Sequence, residues 1–233
     1  MPPAITTAVD PADERSRAKR RGGRPSREAA ARLGEQILDV ATGLFLANGY
    51  GATSVEDIAR RARISKRTFY HRYPDKRALF GAVITRIVER IRPPGGEASL
   101  FTDPGPLDQA LLHIARVTLR MALTPEALAL YRVIISEAAR FPDIAAVIAE
   151  QGRTQKGVMQ IAALLAHDAE AKPSTPQARE FAAAQFLQMV MAVPLRRALG
   201  LGQPMTEGEL DAWARNTVAL FLNGYRGVRP AGT

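Results

Sequence analysis

An all-α fold in two parts is predicted: a small N-terminal unit containing a helix-turn-helix, and a larger helical body behind it. Three observations lead there. Apolar residues recur at three- and four-residue steps along nearly the whole chain, and no alternating strand pattern persists. Pro and Gly breaks, followed by Ser, Thr or Asp at helix-capping positions, cut that periodicity into segments of helical length. Charge then divides the chain. Residues 1 to 92 carry 19 Lys+Arg against 10 Asp+Glu, a net +9, whereas residues 93 to 233 carry 13 of each and are neutral. A basic module joined to a neutral body implies a polyanion partner for the first part and a different task for the second.

The boundaries follow from composition. Residues 1 to 26 form a basic arm: after a Pro-containing leader comes "RSRAKRRGGRPSR", which can bury no core and can order on phosphates or in a minor groove, with Arg24 a candidate contact. Residues 27 to 92 form the head. Leu33, Ile37, Leu38, Ala41, Leu44 and Phe45 make the stripe of its first helix, which Asn48-Gly49 ends. Thr53 with Glu56 reads as a capping box opening a second helix along Val55, Ile58, Ala59 and Ala62. Ser65 caps a third helix about three residues after the second ends, and Asp75 caps a fourth carrying Leu79, Phe80, Val83, Ile84, Ile87 and Val88. Pro93-Pro94-Gly95-Gly96 terminates it.

Residues 93 to 233 form the body, with helices expected near 106 to 123, 125 to 140, 142 to 168, 175 to 200 and 207 to 224. Thr124-Pro125 and Thr175-Pro176 each place a capping residue before a proline at the first helical position, and Thr206 with Glu209 gives another capping box. The segment 142 to 168 is expected to break near Gly152, and Pro194 to kink the helix that contains it.

The third helix concentrates chemistry. In "ISKRTFYHRY", with about 100° per residue and Lys66 at zero, Tyr70 falls near 40°, Arg67 near 100° and His71 near 140°, while Phe69 and Tyr73 fall near 300° and 340°. Phe69 and Tyr73 can therefore pack inward and leave Lys66, Arg67, Tyr70 and His71 as one outward cluster. A short helix held by a tight turn, with cations and hydrogen-bonding groups outward, suits a major groove. The planar fork of Arg67 fits the O6 and N7 of guanine; Lys66, Tyr70 and His71 suit phosphates. Thr53 and Lys76 add donors at helix N-termini that already favour anions.

The stretch "ILDVATGLFLANGYGATSVEDIARRARISKRTFYHRYPDKRALFGAVI", residues 37 to 84, resembles the DNA-binding domain of the TetR family of bacterial transcriptional regulators. The resemblance implies a helix-turn-helix made by the second and third helices, a homodimer on a palindromic double-stranded operator, and an all-α body that binds a small-molecule effector. It implies DNA contacts from Thr53, Lys66, Thr68, Tyr70, His71 and Lys76. Two departures matter. Arg63 stands in the turn where the family commonly has Gly, and Arg67 where it has Gly or a small residue. Arg72 stands where His or an aromatic is frequent and reads as a further phosphate contact.

"RVIISEAARFPDIAAVIAEQG" and "VPLRRALGLGQPMTEGELDAWARNTVALFLNGY" are similar to the C-terminal domain of AefR-like members of that family. In that group the last two long helices pair between copies as a four-helix bundle, which would place Phe186, Met189, Leu210, Trp213, Val218 and Phe221 at a dimer interface, unless that stripe fills the protomer's own core. An effector cavity would lie between the fourth helix and those of 106 to 168, lined by Leu111, Ile114, Val117, Met121, Tyr131, Ile135 and Met159, although an aliphatic stripe at helical spacing is more often plain core than pocket.

Nothing in the sequence points to catalysis: there is no Cys, no HExxH and no Gly-rich phosphate loop after a strand. His113 and His167 lack partners at metal spacing, so neither a metal nor a cofactor is expected. With no apolar run of spanning length and no secretory signal, a cytoplasmic protein without membrane contact is expected. The function expected is that of a ligand-responsive repressor. The alternative is an architectural, weakly specific DNA binder without an effector, its affinity carried by the basic arm.

Overall fold

The computed structural model describes residues 27–91, 105–142, 144, 153–168 and 175–227. Among them are nine helices and no strand: α1 Arg27–Ala52, α2 Val55–Arg61, α3 Lys66–Arg72, α4 Lys76–Ile91, α5 Leu107–Ala122, α6 Pro125–Glu137, α7 Arg153–Ala166, α8 Pro176–Ala198 and α9 Glu207–Gly227. The fold is all-α, as the periodicity requires. The basic arm with Arg24, the Pro-Gly loop after residue 92, and residues 145 to 152 of the expected 142–168 helix lie outside the described residues.

In the head, α1 packs against α4 and α2, and α2 against α3. Helical conformation fails inside α1 at Gly49, whose φ of 84° and ψ of 172° suit glycine alone. Asn48-Gly49 thus ends the regular helix, and the chain re-enters a helical turn through Ala52. Ser65 caps α3 by accepting from the Thr68 N–H at 3.1 Å, and Asp75 caps α4 by accepting from the Ala78 N–H at 2.7 Å. The cap of α2 is one residue later than the sequence suggests. Ser54, not Thr53, accepts from the Asp57 N–H, and its own hydroxyl donates to the Asp57 carboxylate.

Two apolar cores form. The first gathers Ile37, Leu44, Phe45, Tyr50, Ile58, Phe69, Leu79, Phe80, Val83 and Ile87 from the head, and it also takes in Leu130 and Val133 of α6 and Ile144 beyond it. Four rings meet there: Phe80 lies edge-on to Phe45 and Tyr50, and Phe141 lies edge-on to Tyr50. α6 follows the head in sequence yet packs against α1 and α4. The packing therefore crosses the boundary expected after residue 92.

The second core joins α5, α7, α8 and α9 through Leu111, Ile114, Leu119, Ile161, Leu165, Phe186, Val190, Val218 and Phe221. Thr124 and Thr175 cap α6 and α8 as expected, and Thr206 and Glu209 exchange both bonds of a capping box. α8 continues through Pro194. Proline has no N–H, so the Val190 carbonyl four residues earlier loses its helical donor. The Trp213 indole N–H of α9 donates to that carbonyl at 2.9 Å. One side chain thereby satisfies a helix defect and ties α9 to α8.

Candidate nucleic-acid interface

The helix-turn-helix is built from α2, a turn and α3. Its turn is a Schellman cap: the Ile64 N–H donates to the Ala59 carbonyl at 2.9 Å and the Arg63 N–H to the Arg60 carbonyl at 3.2 Å. Such a cap needs a left-handed residue after the helix, and Arg63 takes φ 52°, alone among the described non-glycine residues. Gln36 of α1 donates to the Ala62 carbonyl at 2.9 Å and fixes the turn from the other side.

Phe69 of α3 is fully buried and Tyr73 packs against the same core, so α3 is anchored by the aromatic side expected. Lys66, Arg67, Tyr70 and His71 are exposed, Tyr70 to 52% with its ring edge-on to Phe69. Thr68 is half-buried, and its hydroxyl pairs with that of Ser65 at 2.8 Å. Not every cation here is unengaged. Lys66 is ion-paired with Glu56, which raises the lysine and lowers the carboxylate from their ordinary values; Arg60 is paired with Asp57. Arg63 and Arg67 have no acidic partner among the described residues.

Three residues assigned by sequence to phosphate contact bond to backbone carbonyls of the head itself. Thr53 is 1% exposed, its hydroxyl directed at the Gly49 and Leu44 carbonyls at 2.8 and 3.2 Å, so it closes the α1–α2 junction rather than facing a ligand. The Lys76 ammonium donates to the Tyr50 and Thr53 carbonyls at 3.0 and 3.1 Å and lies 4.3 Å from the centre of the Tyr50 ring. Burial pushes its pKa down, with the Glu137 charge opposing. Arg72 reaches across to α1, donates to the Ala30 carbonyl at 2.9 Å and lies over Gly34, where a Cβ would fall inside its guanidinium.

The body also redistributes its expected site. Phe186, Val218 and Phe221 belong to the protomer's own core, with Met189, Leu210 and Trp213 packed against it, because the inward faces of α8 and α9 close on α5 and α7. The large apolar groups these two helices leave in solvent are Phe181 and Leu220, at 68% and 66% exposure. Periodicity could not separate the two faces of helices apolar on both. Among the expected cavity residues, Leu111 and Ile114 are in the second core, Val117 is buried, and Met121 and Tyr131 are half-buried. Ile135 and Met159 are 64% and 48% exposed.

A link that periodicity did not indicate joins body to head. Glu137 at the end of α6 accepts from the Gly51 N–H at 2.9 Å, beside the Tyr50–Phe141 contact and the Lys76 ammonium.

The model of the bacterial regulatory proteins of the tetR family matches residues 37–83, and that of the AefR-like transcriptional repressor C-terminal domain matches residues 109–227. The chain belongs to the TetR family of transcriptional regulators, with an AefR-like C-terminal domain. This regulator is similar over 85% of its length to all of the solved Flavonoid-responsive Regulator FrrA, with 29% identity and a TM-score of 0.66. A protein from Mesorhizobium loti MAFF303099 assigned to the TetR-family transcriptional regulators matches 84% of it and is itself 98% covered, with 27% identity and a TM-score of 0.66. A 43-residue stretch is 46% identical to the HTH-type transcriptional regulator YuxN of Bacillus subtilis (strain 168), spanning 18% of this chain and 15% of that curated relative. No described helix is long and apolar enough to cross a membrane.

Proposed function

We propose that this TetR family member is a ligand-responsive repressor that binds a palindromic operator as a homodimer. One observation carries the reading: α3 is fixed by Phe69 while Lys66, Arg67, Tyr70 and His71 stand outward on a helix whose preceding turn is pinned from two sides. Arg67 reads a base edge; Lys66, Tyr70 and His71 hold phosphates, with Thr68 at the rim. Phe181 and Leu220 suit a second copy packed on α8 and α9, since these are the large apolar side chains that those helices leave uncovered. The name of FrrA states a small-molecule response in that protein, which supports an effector here. An effector favouring a spacing or tilt of the two α3 helices that misses successive grooves, about 34–36 Å apart, would weaken operator binding, and the operator would weaken effector binding equally.

Selection with the purified full-length chain on a randomised duplex library tests this. An enriched inverted repeat, bound more than about a thousandfold tighter than random sequence, is expected. Uniform binding across the library would favour a weakly specific architectural protein.

A further inference from the structure

The Schellman turn between α2 and α3 holds a contradiction between backbone and side chain. Its cap requires a left-handed residue, a conformation that glycine adopts without strain and that L side chains resist. Arg63 occupies it at φ 52°. The conformation is imposed from all sides: Ile64 and Arg63 donate back into α2, Gln36 holds the Ala62 carbonyl, and Ser65 begins α3 two residues later. The side chain returns nothing visible to the fold. It is exposed, and it has no ion-pair partner among the described residues.

Its neighbours differ. Arg60 is held by Asp57 and Lys66 by Glu56, while Arg61, at the end of α2, is exposed without an ion pair among the described residues. The unneutralised cations nearest the start of α3 are therefore Arg63 and Arg67. Arg67 lies on the helix; Arg63 lies on the rigid turn that leads into it, outside the base-reading helix, and half to two-thirds of protein–DNA hydrogen bonds go to phosphate and sugar.

We propose that Arg63 is a DNA-backbone contact that positions α3 in the groove by gripping a phosphate at its rim, and that this contact is what its strained backbone serves. The inference rests on the DNA-binding reading above. It differs from a role in folding by a separable prediction: glycine at this position relieves strain and removes the charge at once.

Three full-length variants are compared, Arg63→Gly, Arg63→Ala and Arg63→Lys, on a duplex enriched in the selection or, failing enrichment, on a random 30-base-pair duplex. Thermal unfolding and the dependence of log K on log salt are both measured. Arg63→Gly is expected to unfold at higher temperature than wild type, yet to bind DNA more weakly with a salt slope shallower by about 0.9. Arg63→Ala should share the shallow slope without the gain in stability. Arg63→Lys, which keeps the charge and the strain, should restore most of the slope. A wild-type slope in Arg63→Gly, or a Lys variant no better than Gly, overturns the contact. Wild-type protein that binds neither duplex overturns the DNA reading beneath it instead.

Discussion

Head and body solve the same packing problem with the same materials in different proportions. The head closes around a knot of rings, Phe45, Tyr50, Phe80 and Phe141, and adds to the Arg86 pairing with Glu35 and Asp39 two cations that donate to backbone carbonyls, Lys76 to Tyr50 and Thr53, Arg72 to Ala30. The body closes with mostly aliphatic layers around the ring contacts of Phe186, Phe221 and Tyr225, and its helices are tied by cations on carboxylates: Arg116 bridges α5 to Asp211 of α9, and Arg226 takes Asp168 with two bonds of 3.1 and 3.2 Å. Net charge alone thus misstates what the head offers to DNA. Its +9 half includes cations used as intramolecular pins, and among the described residues the outward cations of the turn and α3 divide into Lys66, paired with Glu56, and Arg63 and Arg67, which have no acidic partner.

The largest expected effect tests whether α6 belongs with the head. Phe80→Ala empties the centre of the first core and should cost about 3–5 kcal/mol in unfolding free energy. Because Leu130 and Val133 of α6 sit in that same core, hydrogen exchange should accelerate in α6 along with α1 and α4, while α8 and α9 change less. If α6 keeps its protection, the two-core division is wrong. On the body side, Trp213→Phe leaves the Val190 carbonyl without a donor and should cost about 1–3 kcal/mol. The same change made in a Pro194→Ala background should cost less, since the alanine backbone supplies the missing N–H. Equal costs in a chemical-denaturation cycle would show that the indole contributes packing only.

The outward cations should behave differently from both. Arg67→Ala is expected to leave the unfolding midpoint near that of wild type, while costing about 1–3 kcal/mol in binding and relaxing discrimination at one base position. A fall in stability of that size without change in base preference would move Arg67 into the structural set with Lys76.

That distinction between outward and inward groups marks how far the sequence could be read. Local chemistry was legible: Ser65, Asp75, Thr124, Thr175 and Thr206 all cap where their side chains can reach an N–H three residues on, and Asn48-Gly49 breaks α1. So was the separation of Phe69 from Tyr70. What failed needed a third dimension. Thr53-x-x-Glu56 and Ser54-x-x-Asp57 fit a capping box equally, and only the Leu44 and Gly49 carbonyls, out of reach until α1 folds back, decide that Thr53 turns inward. Lys76 and Arg72 are long enough to reach either solvent or a neighbouring helix, and the bent α1 end and the bare Gly34 determine which. For α8 and α9, one period serves a core or an interface, so Phe186 and Phe221 could not be told from Phe181 and Leu220.

The smallest effect concerns an outward cation of α3 that is already engaged. Lys66 and Glu56 are both exposed, so their ion pair adds little to stability, yet it competes with a phosphate for the same ammonium. Glu56→Gln should therefore bind DNA more tightly than wild type and with a steeper salt slope, leaving the unfolding midpoint unchanged. The pH dependence has a fixed sign. In the free protein Lys66 holds the Glu56 carboxyl below its ordinary value. A phosphate that takes Lys66 away, and adds its own negative charge, raises that value in the complex. The complex then binds more protons than the free protein, and wild-type affinity gains on that of Glu56→Gln as pH falls toward the ordinary glutamate value of about 4.3. Binding curves for the two proteins measured at pH 7 and near pH 5 decide it. A gap that stays constant between those conditions would mean Lys66 keeps Glu56 when DNA is bound, leaving Arg63 and Arg67 to meet the duplex without it.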